Sequence, residues 1–185
     1  MSLTLVSPPS SEPVTLAEAK AHLKLDIADD DVLIASLITA ARARIEWHTG
    51  RALVSQSWTL RLDAWPNDGF EIPLPPLQSV TAVTTYARDD TARVVGSSTY
   101  QVDAASAPAR LTLKGGILPP TDLRAINAVE VAFIAGYGAA SAVPAPLKQA
   151  ILQTVADLYS HRGDEAAVVS QAAEALLAPY RIFRL

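Results

Sequence analysis

The chain has 185 residues, half of them apolar, with 15 Lys and Arg against 19 Asp and Glu for a net charge of −4, and it contains no cysteine. A chain this long buries roughly 70 % of the surface its unfolded form exposes, so a core needs no metal or cross-link. The missing cysteines exclude a disulfide framework, a thiolate zinc site, an iron–sulfur cluster and a cysteine nucleophile. The acidic balance disfavours bulk binding of nucleic acid, which depends on Lys and Arg neutralising phosphates.

Residues 1–13 are rich in Ser and Pro and read as an extended N-terminal arm, with neither a basic leader nor an apolar run of about 18 residues. The expectation is a soluble, cytoplasmic chain without a membrane segment. Thr15-Leu16-Ala17-Glu18 fits a capping box and predicts a short helix ending near Leu25, with Leu16, Ala19 and Leu23 on its apolar side. Asp29-Asp30-Asp31 then opens a second helix, where acids suit the positive end of the dipole. Ile34, Leu37, Ile38, Ala41 and Ile45 recur at helical spacing along it, and Gly50 is its predicted stop.

After Arg51 the period changes from helical to alternating. Trp58, Leu60 and Leu62 fall on one face of a strand, and further strands are predicted at Phe70–Ile72, Val80–Tyr86, Tyr100–Val102, Arg110–Lys114 and Val129–Ile134. Their spacing suits an antiparallel sheet or a small sandwich. The Pro-rich run from Ile72 to Leu77 cannot be a central strand, because proline lacks the ladder donor. Gly136-Tyr137-Gly138 closes the β region as a turn, having no third glycine to make a dinucleotide loop.

Leu147, Ile151, Val155 and Leu158 predict a third helix ending near Gly163, and a fourth runs over Glu165–Leu177 until Pro179 stops it. The expected fold class is therefore α+β. N- and C-terminal helices (14–50 and 143–178) form a helical bundle, with an antiparallel β region (51–142) inserted and a C-terminal tail at 179–185.

Chemistry is sparse. His22, His48 and His161 lie far apart without ligand spacing, and no H-E-x-x-H, G-x-S-x-G or P-loop pattern occurs. Asp29-Asp30-Asp31 lacks the spaced ligands of a calcium loop and reads as helix capping. Trp47, Trp58 and Trp65 lack interleaved basic residues and read as core rather than as a stacking platform. These features imply no catalytic residue, no cofactor and no metal. The tail differs: Tyr180, Ile182, Phe183 and Leu185 alternate with Arg181 and Arg184, a combination suited to an interface. It either folds back on its own helices or docks on a partner chain.

Several phrases occur together in order. Val14-Thr15-Leu16-Ala17-Glu18-Ala19-Lys20 precedes Leu23-Lys24-Leu25-Asp26, and a long helix ends in Thr49-Gly50-Arg51-Ala52-Leu53. Gln56-Ser57-Trp58, Leu74-Pro75-Pro76-Leu77-Gln78-Ser79-Val80, Tyr100-Gln101-Val102-Asp103, Ala135-Gly136-Tyr137-Gly138, Val143-Pro144 and Leu177-Ala178-Pro179-Tyr180-Arg181 follow. From Val14 to Arg181 the chain resembles the head–tail connector, or adaptor, proteins of tailed bacteriophages and of gene transfer agents.

The resemblance implies a non-enzymatic component of a particle neck, assembled in the bacterial cytoplasm. Twelve copies would form a ring beneath the portal protein, with a tail-completion or stopper protein on the other side and DNA passing through the channel without sequence-specific binding. It further implies a portal contact through Pro179, Tyr180, Arg181, Ile182, Phe183, Arg184 and Leu185, of which only Pro179-Tyr180-Arg181 match the recurring phrase. The other reading of the residues is a monomeric or dimeric module that holds a ligand, such as a carbohydrate, in the β region.

Overall fold

The computed structural model describes residues 1–161 and 170–182. It is a mixed α and β protein of two compact units, one made of Met1–Pro9 and Ser55–Gly136, the other of Ser10–Val54 and Tyr137–Leu185.

In the helical unit, α1 (Leu16–Leu23) starts at a complete capping box. The Glu18 amide donates to the Thr15 hydroxyl at 3.1 Å, and the Thr15 amide donates to the Glu18 carboxylate at 2.6 Å. Two otherwise unsatisfied donors are thereby met, and Lys24, in the left-handed conformation, ends the helix. Helix α2 (Asp31–Thr49) buries Ile34, Ile38, Ala41, Ile45 and Thr49, and Gly50 at φ 69° terminates it. Helix α3 (Ala145–Ser160) buries Leu147, Ala150, Ile151, Thr154 and Val155, and α4 (Gln171–Leu177) buries Ala173 and Leu177. These residues form one core, with α3 packed against both α2 and α4. Arg42 lies between Glu12 and Glu46, 2.7 Å from each, and Glu46 also accepts the Leu53 amide. Burial opposes the Arg42 charge, but the two carboxylates outweigh it and raise its pKa.

The β unit contains two antiparallel sheets. The larger, in the order β1-β2-β8-β4-β5, comprises Ser2–Ser7, Gln56–Leu62, Val129–Ala135, Leu77–Tyr86 and Ala92–Val94. The smaller, β3-β7-β6, comprises Phe70–Ile72, Ala109–Leu113 and Tyr100–Asp103. Central strand β8 alternates buried and half-buried residues along its whole length, the period-two signature of a sheet with one face inward. Trp65 meets Phe70 edge to face at 5.5 Å. Gly69, at φ 83°, has space for no side chain: a Cβ there would lie 2.4 Å from the Leu111 carbonyl oxygen.

Several expectations need correction. The arm expected over residues 1–13 is a strand across Ser2–Ser7, paired with β2 from Ser2 opposite Arg61 to Ser7 opposite Ser57. Its side chains are almost all exposed, so it lacks the buried stripe that betrays a strand in sequence. Strand β5 is exposed throughout and lacks that stripe too. Asp30 sits at the N-cap of α2 without capping it through its side chain; its carboxylate instead accepts the Tyr159 hydroxyl of α3, while Asp31 pairs with Lys20 at 2.6 Å. Trp47, expected in the core, is 85 % exposed. The stop at Gly163 and the start of the fourth helix at Glu165 lie outside the described residues.

Candidate docking site

The C-terminal tail begins where α4 tightens into a 3-10 turn over Ala178–Tyr180. From there the chain runs back along the end of α2. The Arg51 guanidinium Nε donates to the Tyr180 carbonyl at 2.6 Å, and the Ile182 amide donates to the Thr49 carbonyl at 3.2 Å. The second bond meets one of the carbonyls a helix leaves open at its C-terminus.

Gly50 has two roles here. It provides the left-handed turn that ends α2, and the Ile182 side chain lies over it, Cδ1 being 3.6 Å from the point a Cβ would occupy. Tyr180 is half-buried against the helical core, as is Tyr137. Burial raises the Tyr137 phenol above its ordinary value while the Arg51 guanidinium pulls it down.

Of the seven tail residues, Pro179 and Arg181 are exposed and Tyr180 and Ile182 are half-buried. Phe183, Arg184 and Leu185 lie outside the described residues. The first part of the tail thus folds against its own helices. The residues that hold it, Thr49, Gly50 and Arg51, were not among the sequence candidates. They stand together in sequence, but nothing in linear sequence links them to a segment some 130 positions later.

The other candidates do not assemble into a site. His22 is exposed, His48 is half-buried, and His161 lies 2.9 Å from the Asp157 carbonyl through Nδ1. Among the described residues no group of three or more His, Asp or Glu side chains is placed to hold a metal ion, and no helix is long and apolar enough to cross a membrane. The β unit has an open groove of about 530 Å³ lined by Asp68, Glu71, Gln101, Asp103, Arg110 and Thr112. Within it Arg110 donates to Asp103 at 2.8 Å and holds that carboxyl below its ordinary pKa.

Comparison with known proteins places this geometry. The family of phage gp6-like head-tail connector proteins matches residues 13–115. Among solved structures, a chain of the virion of a native gene transfer agent (GTA) particle is 30 % identical, with a TM-score of 0.85 over 100 % of this chain and 97 % of that one. A chain from the neck of an empty GTA particle computed with C6 symmetry is 31 % identical, with a TM-score of 0.84 and the same coverage. A third, from the neck of a native GTA particle computed with C12 symmetry, is 30 % identical, with a TM-score of 0.82, again over 100 % and 97 %. No curated protein matches. The matched family region runs from the approach to α1 through the smaller sheet, and the structural match covers 100 % of this chain. This chain belongs to the phage gp6-like head-tail connector protein family.

Proposed function

We propose that this connector is a non-enzymatic ring subunit of a particle neck, joining the portal side of a capsid to a tail around the DNA channel. One observation carries the reading: likeness to a neck chain at 30 % identity over the full length of this one. A ring of twelve equivalent subunits accords with the C12 symmetry of that neck. The helices of the 10–54 and 137–185 unit act as the bundle that builds the ring, with the β region inserted between them. The net negative charge suits a channel wall, since many phosphate contacts would hold DNA back rather than let it pass.

The portal contact is assigned to residues Pro179 to Leu185. Tyr180 and Ile182 are held by Arg51 and Thr49, so this part of the segment is already ordered before docking. An anchored base reduces the ordering cost of docking the end of the chain. Native mass spectrometry of the chain mixed with the portal protein tests the whole reading. A complex carrying one connector per portal subunit is expected, and no association between a folded chain and an intact portal ring overturns it. Removing residues 183–185 keeps the Ile182 and Tyr180 bonds and should still abolish binding; unchanged affinity would remove the tail assignment alone.

A further inference from the structure

Helix α2 turns an uncharged, mostly apolar face to solvent. Val32, Ser36, Ala40, Ala43 and Trp47 are all exposed, opposite the buried Ile34, Ile38, Ala41 and Ile45. Val32 and Trp47, both 85 % exposed, stand at the ends of this stripe, about 22 Å apart at 1.5 Å per residue. The small residues between them leave a shallow bed. Exposed tryptophan on a flat, uncharged surface is a costly arrangement for a chain that stays alone, and tryptophan is the residue most enriched at interface anchors.

The same unit carries a second, unlike face. Helix α4 exposes Gln171, Ala172 and Ala175, and Ala178 continues this small-residue surface into the following turn. A closed ring of identical subunits joined head to tail needs two different patches that fit each other. Large ends on α2 and small residues on α4 meet that need sterically. Their flanks also match in charge. Arg44 borders the α2 face and Glu174 the α4 face, and neither has an ion-pair partner among the described residues.

We infer that the α2 face of one copy, anchored by Trp47, docks on the α4 face of the next copy, with Arg44 opposite Glu174 of its neighbour. This rests on the ring reading above and specifies its lateral contact. An uncharged face on a chain of net charge −4 suits a second copy better than an oppositely charged partner.

The chain has no cysteine, so placed cysteines report cleanly. A full-length Ala43→Cys/Ala175→Cys chain is treated with a short bis-maleimide, alone at high concentration and after assembly with the portal protein, and run on a denaturing gel. A ladder of cross-linked multimers is expected, absent when Ser98→Cys replaces Ala175→Cys in the pair. Rings seen by native mass without that ladder, or equal ladders from both pairs, overturn the α2–α4 contact and leave the ring reading standing. No ring from the wild-type chain in either setting removes the ring reading and this contact with it. Trp47→Ser should weaken lateral association at least tenfold with an unchanged circular dichroism spectrum, while Trp47→Phe keeps most of it; full assembly of Trp47→Ser overturns the anchor.

Discussion

Arg51 and Tyr180 are joined side chain to main chain at 2.6 Å, across 129 positions of sequence. The bond fastens the turn that follows α4 to the end of α2. Replacing Arg51 with Ala removes a charged donor from a part-buried carbonyl. The expected cost is about 1–2 kcal/mol of local stability. Hydrogen exchange should report it as roughly tenfold faster exchange at the neighbouring Ile182 amide, with the amides of α3 unchanged.

Gly69 provides a test confined to the β unit. Alanine there must adopt a left-handed backbone and also overlap the Leu111 carbonyl and the Thr112 methyl, which lie 2.4 and 2.6 Å from the Cβ position. A loss of about 2–4 kcal/mol is expected. Denaturation followed by hydrogen exchange should show it in β3 and β7, with α2 and α3 retaining their protection.

Ile45→Ala is the counterpart in the helical unit. Its side chain is fully buried in the core shared with Leu147 and Ile151, so truncation forfeits transfer energy and leaves a cavity. About 2–5 kcal/mol should be lost, measured by urea titration. Val32→Ala, on the exposed face of the same helix, should stay within about 0.5 kcal/mol of wild type.

The capping box predicts a pH dependence. The Thr15 amide, and after it the Thr15 hydroxyl, hold the Glu18 carboxyl below its ordinary pKa. A carboxyl whose folded pKa is depressed adds stability above its unfolded value and loses it as pH falls through the folded one. Wild type should therefore exceed Glu18→Gln by about 0.5 kcal/mol at pH 7, the low end for caps because the group is exposed. The gap should close as the pH is lowered through the carboxylate range. Thermal melts of both chains across that range measure it.

What was legible in sequence follows from burial. Helices α2 and α3 and strands such as β8 bury one stripe each, and a buried stripe is a periodic signal. Gly50 and the Thr15-to-Glu18 spacing marked helix ends for the same local reasons that the structure displays. Strand β1 was illegible because its partner β2 begins some fifty residues later and its own side chains face water. Trp47 was misplaced because residue type argues for burial, whereas its position on α2 falls between the buried Ile45 and Thr49 and points outward. The tail was half legible. Pro179 marked the end of α4, but the partners Arg51 and Thr49 depend on how the chain after α4 returns to α2, which no local pattern encodes.

The two units interleave along the chain, which leaves one after Val54 and comes back to it at Tyr137. At that junction the Tyr137 amide donates to the Leu53 carbonyl at 2.8 Å, so the departure and return points touch. Eighty-odd residues can therefore be lengthened, shortened or exchanged for another fold without stretching the helices that hold the junction together. Strand β1 is the exception to this freedom, because it reaches the sheet from the other end of the chain. A replacement for the β unit has either to accept Ser2–Ser7 at its edge or to leave them behind. The helical unit can in this way keep its own core while the surface carried between Val54 and Tyr137 changes.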